Sequence, residues 1–173
     1  AVTQLESMFQ YFMADRFGLT SVQLRDAKTK DEFVRRIKAH AATMPAGAWM
    51  LEGDWDHQLW GGELPRKEWI DSVTPNTPVF VQRLDGHMNL ANSAALRAAG
   101  ITRDVKDVSG GEIVRDERGE PTGILKDNAT SLVFRVIPDP TPAQEDAALN
   151  AAMNYVAAQG VTSVHNMGTW DNL

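Results

Sequence analysis

The chain has 173 residues, a formal net charge of −6 and no cysteine. This length is sufficient for one domain with a buried core, and the missing cysteine excludes disulfides and thiolate metal ligands. The acidic balance, with charges of both signs interspersed, argues against nucleic acid as a partner.

The first predicted element is a helix within residues 1–17. It either packs on the core of the same chain or meets a second copy. No apolar run approaches the roughly 20 residues that span a bilayer, and the N-terminus lacks the basic start of a signal peptide. We therefore expect a cytoplasmic protein with no membrane partner. The apolar face of this helix is predicted from helical spacing of Leu5, Met8, Phe9, Phe12 and Met13.

Strands and helices alternate in the first half of the chain. Thr29 and Glu32 form the pattern of a capping box, which marks a helix start. The alternation is typical of parallel βα units. The predicted strands are 18–24, 48–51 and 79–81, and the predicted helices are 30–44 and 65–70.

The second half begins with a predicted β-hairpin over 111–127, whose loop contains Gly119 and Pro121. A short helix is predicted within 128–136. Thr141 is the expected N-cap of a longer helix that has Pro142 in its first turn and ends at Gly160. A last strand over 161–164 leads to His165. We expect the 173 residues to form a single α/β domain.

The stretch from Pro78 to Leu96 is the most informative in the chain. An apolar strand ends at a polar turn, which carries His87, and a helix follows with Asn92 or Ser93 as its N-cap. A rigid strand that ends in a polar turn before a helix is a common location for functional side chains in α/β proteins. His87 is therefore the first candidate functional residue.

The same stretch carries a family resemblance. Asp-Gly-His at 85–87, followed by Asn-Ser-Ala-Ala-Leu at 92–96, resembles the YtcJ-like branch of the amidohydrolase superfamily, amidohydrolase family 3. Other segments agree with that family in the same order along the chain. These segments are 21–27, 53–60, 61–65, 111–116, 119–127 and 160–166.

The resemblance implies part of a (β/α)8 TIM barrel with a β-hairpin insertion. It also implies one or two divalent metals, zinc first among them, which activate water to hydrolyse the amide or cyclic amide bond of a small molecule. The sequence departs from the family pattern because it contains no His-x-His pair, and a complete barrel takes roughly 250 residues. We therefore expect a fragment of such a hydrolase that is inactive alone. The alternative is a non-catalytic oligomeric module.

Residue roles follow only from this resemblance. His87 corresponds to a substrate-facing position near the metals. Trp55, Asp56 and Trp60 correspond to a segment that lines a substrate pocket, although core packing explains the aromatic residues equally well. Asn92 is a candidate substrate contact, and helix capping explains it equally well.

The candidate metal ligands lie on two segments. Lys126 is expected to bridge metals as a carboxylated lysine, or Asp127 to ligate directly; the alternative is a solvated Lys-Asp pair. His165 follows an apolar strand, as a metal ligand would. A separate site formed by His57, His87 and His165 stays open, without support from spacing. An incomplete barrel leaves strand edges unpaired, so we expect a homodimer or larger oligomer.

Overall fold

The computed structural model describes residues 21–163. Residues Val22–Ile137 form one compact unit, and residues 138–163 belong to a second. The helix predicted within 1–17 and the predicted ligand His165 lie outside the described residues. The α-helices are α1 Lys30–Ala41, α2 Lys67–Ile70, α3 Ser93–Ala98, α4 Ser131–Phe134 and α5 Pro142–Ala158. The strands are β1 Met50–Trp55, β2 Val79–Arg83, β3 Met88–Ala91, β4 Gly111–Arg115 and β5 Pro121–Asp127.

The five strands form one sheet in the order β1-β2-β3-β5-β4. This confirms the predicted α/β class, and the antiparallel β4–β5 pair confirms the hairpin over 111–127. β1 and β2 pair in parallel, as the alternation of strands and helices in the first half predicts, whereas strand β3 is not among the predicted elements. A turn at 84–87 sends the chain straight back, so β3 pairs antiparallel with β2 before α3 begins.

Apolar side chains cover both faces of the sheet. Val79 and Val81 lie in one buried cluster with Phe33 of α1, whereas Phe80 lies in the other with Val133 of α4. Successive side chains of a strand point to opposite faces, so the continuous apolar run of β2 fits a strand that is buried on both sides. The sheet therefore forms the middle layer of this unit.

The residues before α1 pack without forming a strand. Val22 and Leu24 are buried, and the Leu24 amide donates a 3.0 Å hydrogen bond to the Gly53 carbonyl. Residues 21–24 nevertheless form no strand, so the prediction of a strand over 18–24 is wrong for its described residues. The segment lies beside β1 as irregular chain.

Helix α1 begins with the expected cap. The Glu32 amide donates a hydrogen bond to Thr29 Oγ1 at 3.2 Å. The Glu32 carboxylate accepts from the Lys28 amide at 3.4 Å rather than from the Thr29 amide, so the reciprocal half of the capping box is displaced by one residue.

We expect Thr29→Ala to lower the free energy of unfolding by about 1 kcal/mol, because the substitution leaves a helix N–H without its acceptor. Urea denaturation followed by tryptophan fluorescence measures this change. The control is Ser72→Ala, which removes an exposed hydroxyl and should leave the midpoint unchanged. Equal midpoints for wild type and Thr29→Ala would contradict the capping role.

Helix α5 has the boundaries that its sequence predicts. Thr141 and Gln144 form a complete capping box, Pro142 lies at the helix start, and Gly160 follows the end with φ 76°. Its buried side chains recur every four residues, at Ala148, Ala152 and Val156. The strand expected at 161–164 is absent from its described residues, 161–163. Among the helices of residues 21–163, none is long and apolar enough to cross a membrane.

Candidate functional site: the polar edge of the sheet

Polar side chains collect where three strands end and one begins. β1 and β2 are parallel, so their C-terminal ends lie side by side, and β3 starts where β5 ends because these two strands are antiparallel. We call the resulting group the polar edge. It consists of Asp56, His57, Arg83, Asp85, His87 and Asp127.

His87 and Asp127 form the most direct contact of the polar edge. His87 Nδ1 lies 2.9 Å from Asp127 Oδ1, and the Asp127 amide donates to the His87 carbonyl at 2.9 Å. The His87 amide donates to Asp85 Oδ1 at 3.2 Å. The His87 side chain is 73% exposed and that of Asp127 is 54% exposed. Two hydrogen bonds therefore join the β2–β3 turn to the end of β5 and leave the imidazole open to solvent.

The Asp127 carboxylate raises the pKa of His87, first through the hydrogen bond and then through its charge, and Asp85 adds to the effect. A raised folded-state pKa means that the pair contributes its full stability below the unfolded pKa, near pH 6.5. That contribution disappears as the pH rises through the folded-state pKa.

We expect Asp127→Asn to lower the pKa of His87 toward about 6.5, because the amide keeps the shape of the carboxylate but not its charge. Titration of the His87 ring protons by NMR measures the shift. The matched control is Glu112→Gln, which neutralises the carboxylate paired with Lys126 on the neighbouring strand. An unchanged pKa of His87 in Asp127→Asn would contradict the assigned cause.

Asp56 and Arg83 form the other end of the polar edge. Asp56 Oδ1 accepts from the Gln58 amide at 3.0 Å and so caps a short 3-10 helix, His57–Trp60. The Arg83 guanidinium forms an ion pair with Asp85 and lies 3.7 Å from Asp56 Oδ1. Asp56 therefore lies beside a cation and at a helix start, which is compatible with its predicted place in a pocket. Its carboxylate, however, already has these two partners.

His57 differs from His87 because it is nearly buried. Its side chain is 11% exposed, and Nδ1 has no hydrogen-bond partner. Burial lowers the pKa of His57, and the Arg83 charge lowers it further. The ring is therefore neutral at neutral pH.

The two predicted aromatic contacts are core residues in this structure. Trp55 is completely buried, and its indole N–H donates to the Val81 carbonyl at 2.8 Å. Trp60 is half-buried against Phe33, with ring centroids 5.3 Å apart, and donates to the Glu63 carbonyl. Both placements favour the packing alternative. Trp55 has no exposed surface with which it could contact a substrate.

Asn92 is also completely buried, and its side chain connects three segments. Oδ1 accepts from the Ala95 amide at 2.9 Å, which caps α3, and from the Val79 amide at 3.0 Å. Nδ2 donates to Thr74 Oγ1 at 3.0 Å and to the Thr77 carbonyl at 2.9 Å. Capping was foreseeable from sequence; the bonds to Val79 and the 74–77 loop were not. These contacts favour the structural alternative over a substrate contact.

Lys126 lies next to Asp127 but has a different partner. Its Nζ lies 2.8 Å from Glu112 Oε2 across the β4–β5 pair. The expected solvated Lys126–Asp127 pair is therefore replaced by two separate pairs, Lys126–Glu112 and His87–Asp127. Carboxylation of Lys126 would replace its positive charge and break the first of these pairs.

A metal site needs several His, Asp or Glu side chains at one point. Within residues 21–163, no group of three or more such side chains is placed to hold a metal ion. The described residues alone therefore do not fit a metal. Arg83 and Asp85 are the polar-edge residues that were not among the predicted site residues; their position at the end of an apolar strand, beside His87, was the available signal.

Comparisons with known proteins agree with the sequence resemblance. The sequence model of the amidohydrolase family matches residues 15–172. Over 152 residues the chain is 41% identical to "Protein LONG AFTER FAR-RED 3" of Arabidopsis thaliana, and this match covers 88% of this chain and 26% of that protein. It is 34% identical to "Putative amidohydrolase YtcJ" of Bacillus subtilis and 33% identical to "N-substituted formamide deformylase" of Arthrobacter pascens. These two matches cover 80% and 79% of this chain and 26% of each relative.

Solved structures show the same fold. Two uncharacterized metal-dependent hydrolases, from Pyrococcus horikoshii and Pyrococcus furiosus, superpose with TM-scores of 0.61 and 0.60 at 24% and 25% identity. The matches cover 88% and 86% of this chain and 28% of each of those chains. The chain thus spans about a quarter of the length of its relatives. The family match over residues 15–172 establishes that the chain belongs to the amidohydrolase family.

Proposed function

We propose that the whole protein hydrolyses a non-peptide C–N bond, an amide or cyclic amide, in a small molecule. The observation that carries this proposal is the family match over residues 15–172. A relative named as an N-substituted formamide deformylase supports this bond class. The fold shared with metal-dependent hydrolases supports a divalent metal, with zinc as our first choice.

The chain's own contribution in this proposal is the polar edge. His87 is open to solvent through most of its ring, and Asp127 engages Nδ1. Nε2 is therefore the atom that can contact a substrate. A protonated Nε2 would donate a hydrogen bond to an oxygen that gains negative charge during attack on a carbonyl. An unprotonated Nε2 would instead accept a hydrogen bond from an N–H or O–H group of the substrate. His87 is the proposed catalytic residue, and Asp56, at the other end of the polar edge, is a proposed substrate contact.

The metal ligands are proposed to come largely from outside residues 21–163. His165 keeps its predicted role as a ligand. We propose further that the parallel β1–β2 pair belongs to a (β/α)8 barrel and that the protein acts in the cytoplasm. This chain alone is proposed to be inactive, because the described residues offer no metal-capable group of three.

The test uses the protein encoded by the complete reading frame, loaded with zinc. N-substituted formamides and cyclic amides are assayed beside a peptide control. We expect turnover of a non-peptide amide, a loss of about 100-fold in His87→Gln, and wild-type rates in His40→Gln. His40 lies in the last turn of α1 and is not one of the polar-edge residues. Hydrolysis unaffected by His87→Gln would remove His87 from catalysis, and no turnover of any amide would overturn the proposal.

A non-catalytic oligomeric module is the second candidate. The lack of a metal-capable group within the described residues favours it. β1 and β4 are the end strands of the sheet, and end strands can pair with another chain. We expect a dimer or larger species in solution scattering of the 173-residue chain; a monodisperse monomer would contradict this expectation.

A further inference from the structure

Asp127 has a backbone conformation that residues with side chains rarely adopt. Its φ and ψ are 47° and −125°, and Glu52 and Asp54 are the other non-glycine residues of the described chain with positive φ. Such strain persists where surrounding contacts impose it, and it concentrates at functional sites. The contacts here are the Asp127 amide bonded to the His87 carbonyl and the Asp127 carbonyl accepting from Thr130 Oγ1 at 2.7 Å.

The Asp127 carboxylate engages one nitrogen of the His87 ring. A carboxylate only accepts hydrogen bonds, so the 2.9 Å contact requires the proton on Nδ1. The hydrogen bond at one ring nitrogen determines the state of the other. In the neutral ring Nε2 is therefore unprotonated, and no residue in 21–163 hydrogen-bonds to it.

Two other charged groups lie near His87, and neither bonds to its ring. Asp85 Oδ1 accepts from the His87 backbone amide, and its other oxygen pairs with Arg83. Arg83 in turn faces Asp56. Asp127 is thus the described group whose side chain sets the orientation and tautomer of the imidazole.

We propose that Asp127 is a positioning residue that holds His87 as the Nδ1–H tautomer, with Nε2 facing outward from the polar edge. This role replaces the metal ligation predicted for Asp127 from the family resemblance. The use of Nε2 in catalysis rests on the proposed function, whereas the placement of the proton rests on the geometry alone.

The test is ¹⁵N NMR of the histidine rings in the 173-residue chain, at a pH where His87 is neutral. We expect Nδ1–H in wild type and the Nε2–H form, which free imidazole side chains prefer, in Asp127→Gly. Asp127→Asn should retain the wild-type tautomer in part, because its amide oxygen can still accept. Asp85→Asn is the matched control and should leave the tautomer unchanged.

Urea denaturation of the same variants separates positioning from a purely structural role. At a pH where His87 is neutral the ion pair contributes no stability, and glycine adopts positive φ without strain, so Asp127→Gly should remain folded with a midpoint equal to or above that of wild type. Retention of Nδ1–H in Asp127→Gly would overturn the proposal. A stoichiometric zinc-dependent shift of the His87 signals that Asp127→Gly abolishes would also overturn it, because Asp127 would then be a metal ligand. None of these outcomes requires turnover, so they are independent of the amide assay.

Discussion

Replacement of Asn92 by alanine is expected to lower the free energy of unfolding by about 3 kcal/mol. The side chain is completely buried and bonds to Val79, Ala95, Thr74 and Thr77. Alanine removes the cap of α3 and also leaves the Val79 amide of β2 buried without its acceptor. Loss of a cap alone costs about 1 kcal/mol, and each buried unsatisfied group adds about 1–3 kcal/mol, so the two effects together exceed an ordinary cap substitution.

Urea denaturation with tryptophan fluorescence measures this loss, since Trp55 is buried in the same unit. Asn76→Ala is the matched control, because it makes the same chemical change at an exposed position in the neighbouring loop. We expect Asn76→Ala to lie within about 0.5 kcal/mol of wild type. A similarly small change for Asn92→Ala would show that the hydrogen bonds of Asn92 do not hold the three segments together.

Replacement of Gly123 by alanine is the second substitution with a large expected effect. Gly123 lies in β5 with φ +105°, and an added Cβ would stand 2.5 Å from the Ala91 carbonyl oxygen of β3. The substitution therefore combines left-handed strain of about 1–2 kcal/mol with a backbone collision of about 1–3 kcal/mol. We expect a total loss of about 3 kcal/mol or more.

Gly100→Ala isolates the collision from the strain. Gly100 also has positive φ, +67°, but its Cβ would meet nothing within 4 Å. We expect Gly100→Ala to cost about 1 kcal/mol, so the difference between the variants reports the contact between β5 and β3. Equal losses in the two variants would mean that the strands separate easily and that the close approach of β5 to Ala91 is unimportant.

Local signals in the sequence predicted most of the elements. Thr29, Asn92 and Thr141 all cap the helices that they were expected to start, because an N-cap depends on atoms only two or three residues away. The hairpin over 111–127 was likewise predictable from two apolar runs around a turn-rich loop. The family was recognisable from Asp-Gly-His and the segments in order around it.

Strand direction and side-chain partners were not predictable in the same way. The sequence predicts a helix after the turn at 84–87 with its cap at Asn92 or Ser93, but it does not predict β3, which the four residues between the turn and the cap form. Lys126 and Asp127 are adjacent in sequence, yet Lys126 pairs with Glu112 and Asp127 with His87. Both partners come from distant segments that the sheet brings together, so spacing along the chain carries no signal of them.

The decisive measurement for the polar edge is the metal content of the purified, dialysed 173-residue chain, with zinc, manganese, iron and nickel read together by plasma mass spectrometry. We expect metal well below one equivalent, because the polar edge joins His87 to Asp127 and residues 21–163 hold no metal-capable group of three. Near one equivalent or more of a single metal would contradict this expectation, since this chain would then form a metal site by itself.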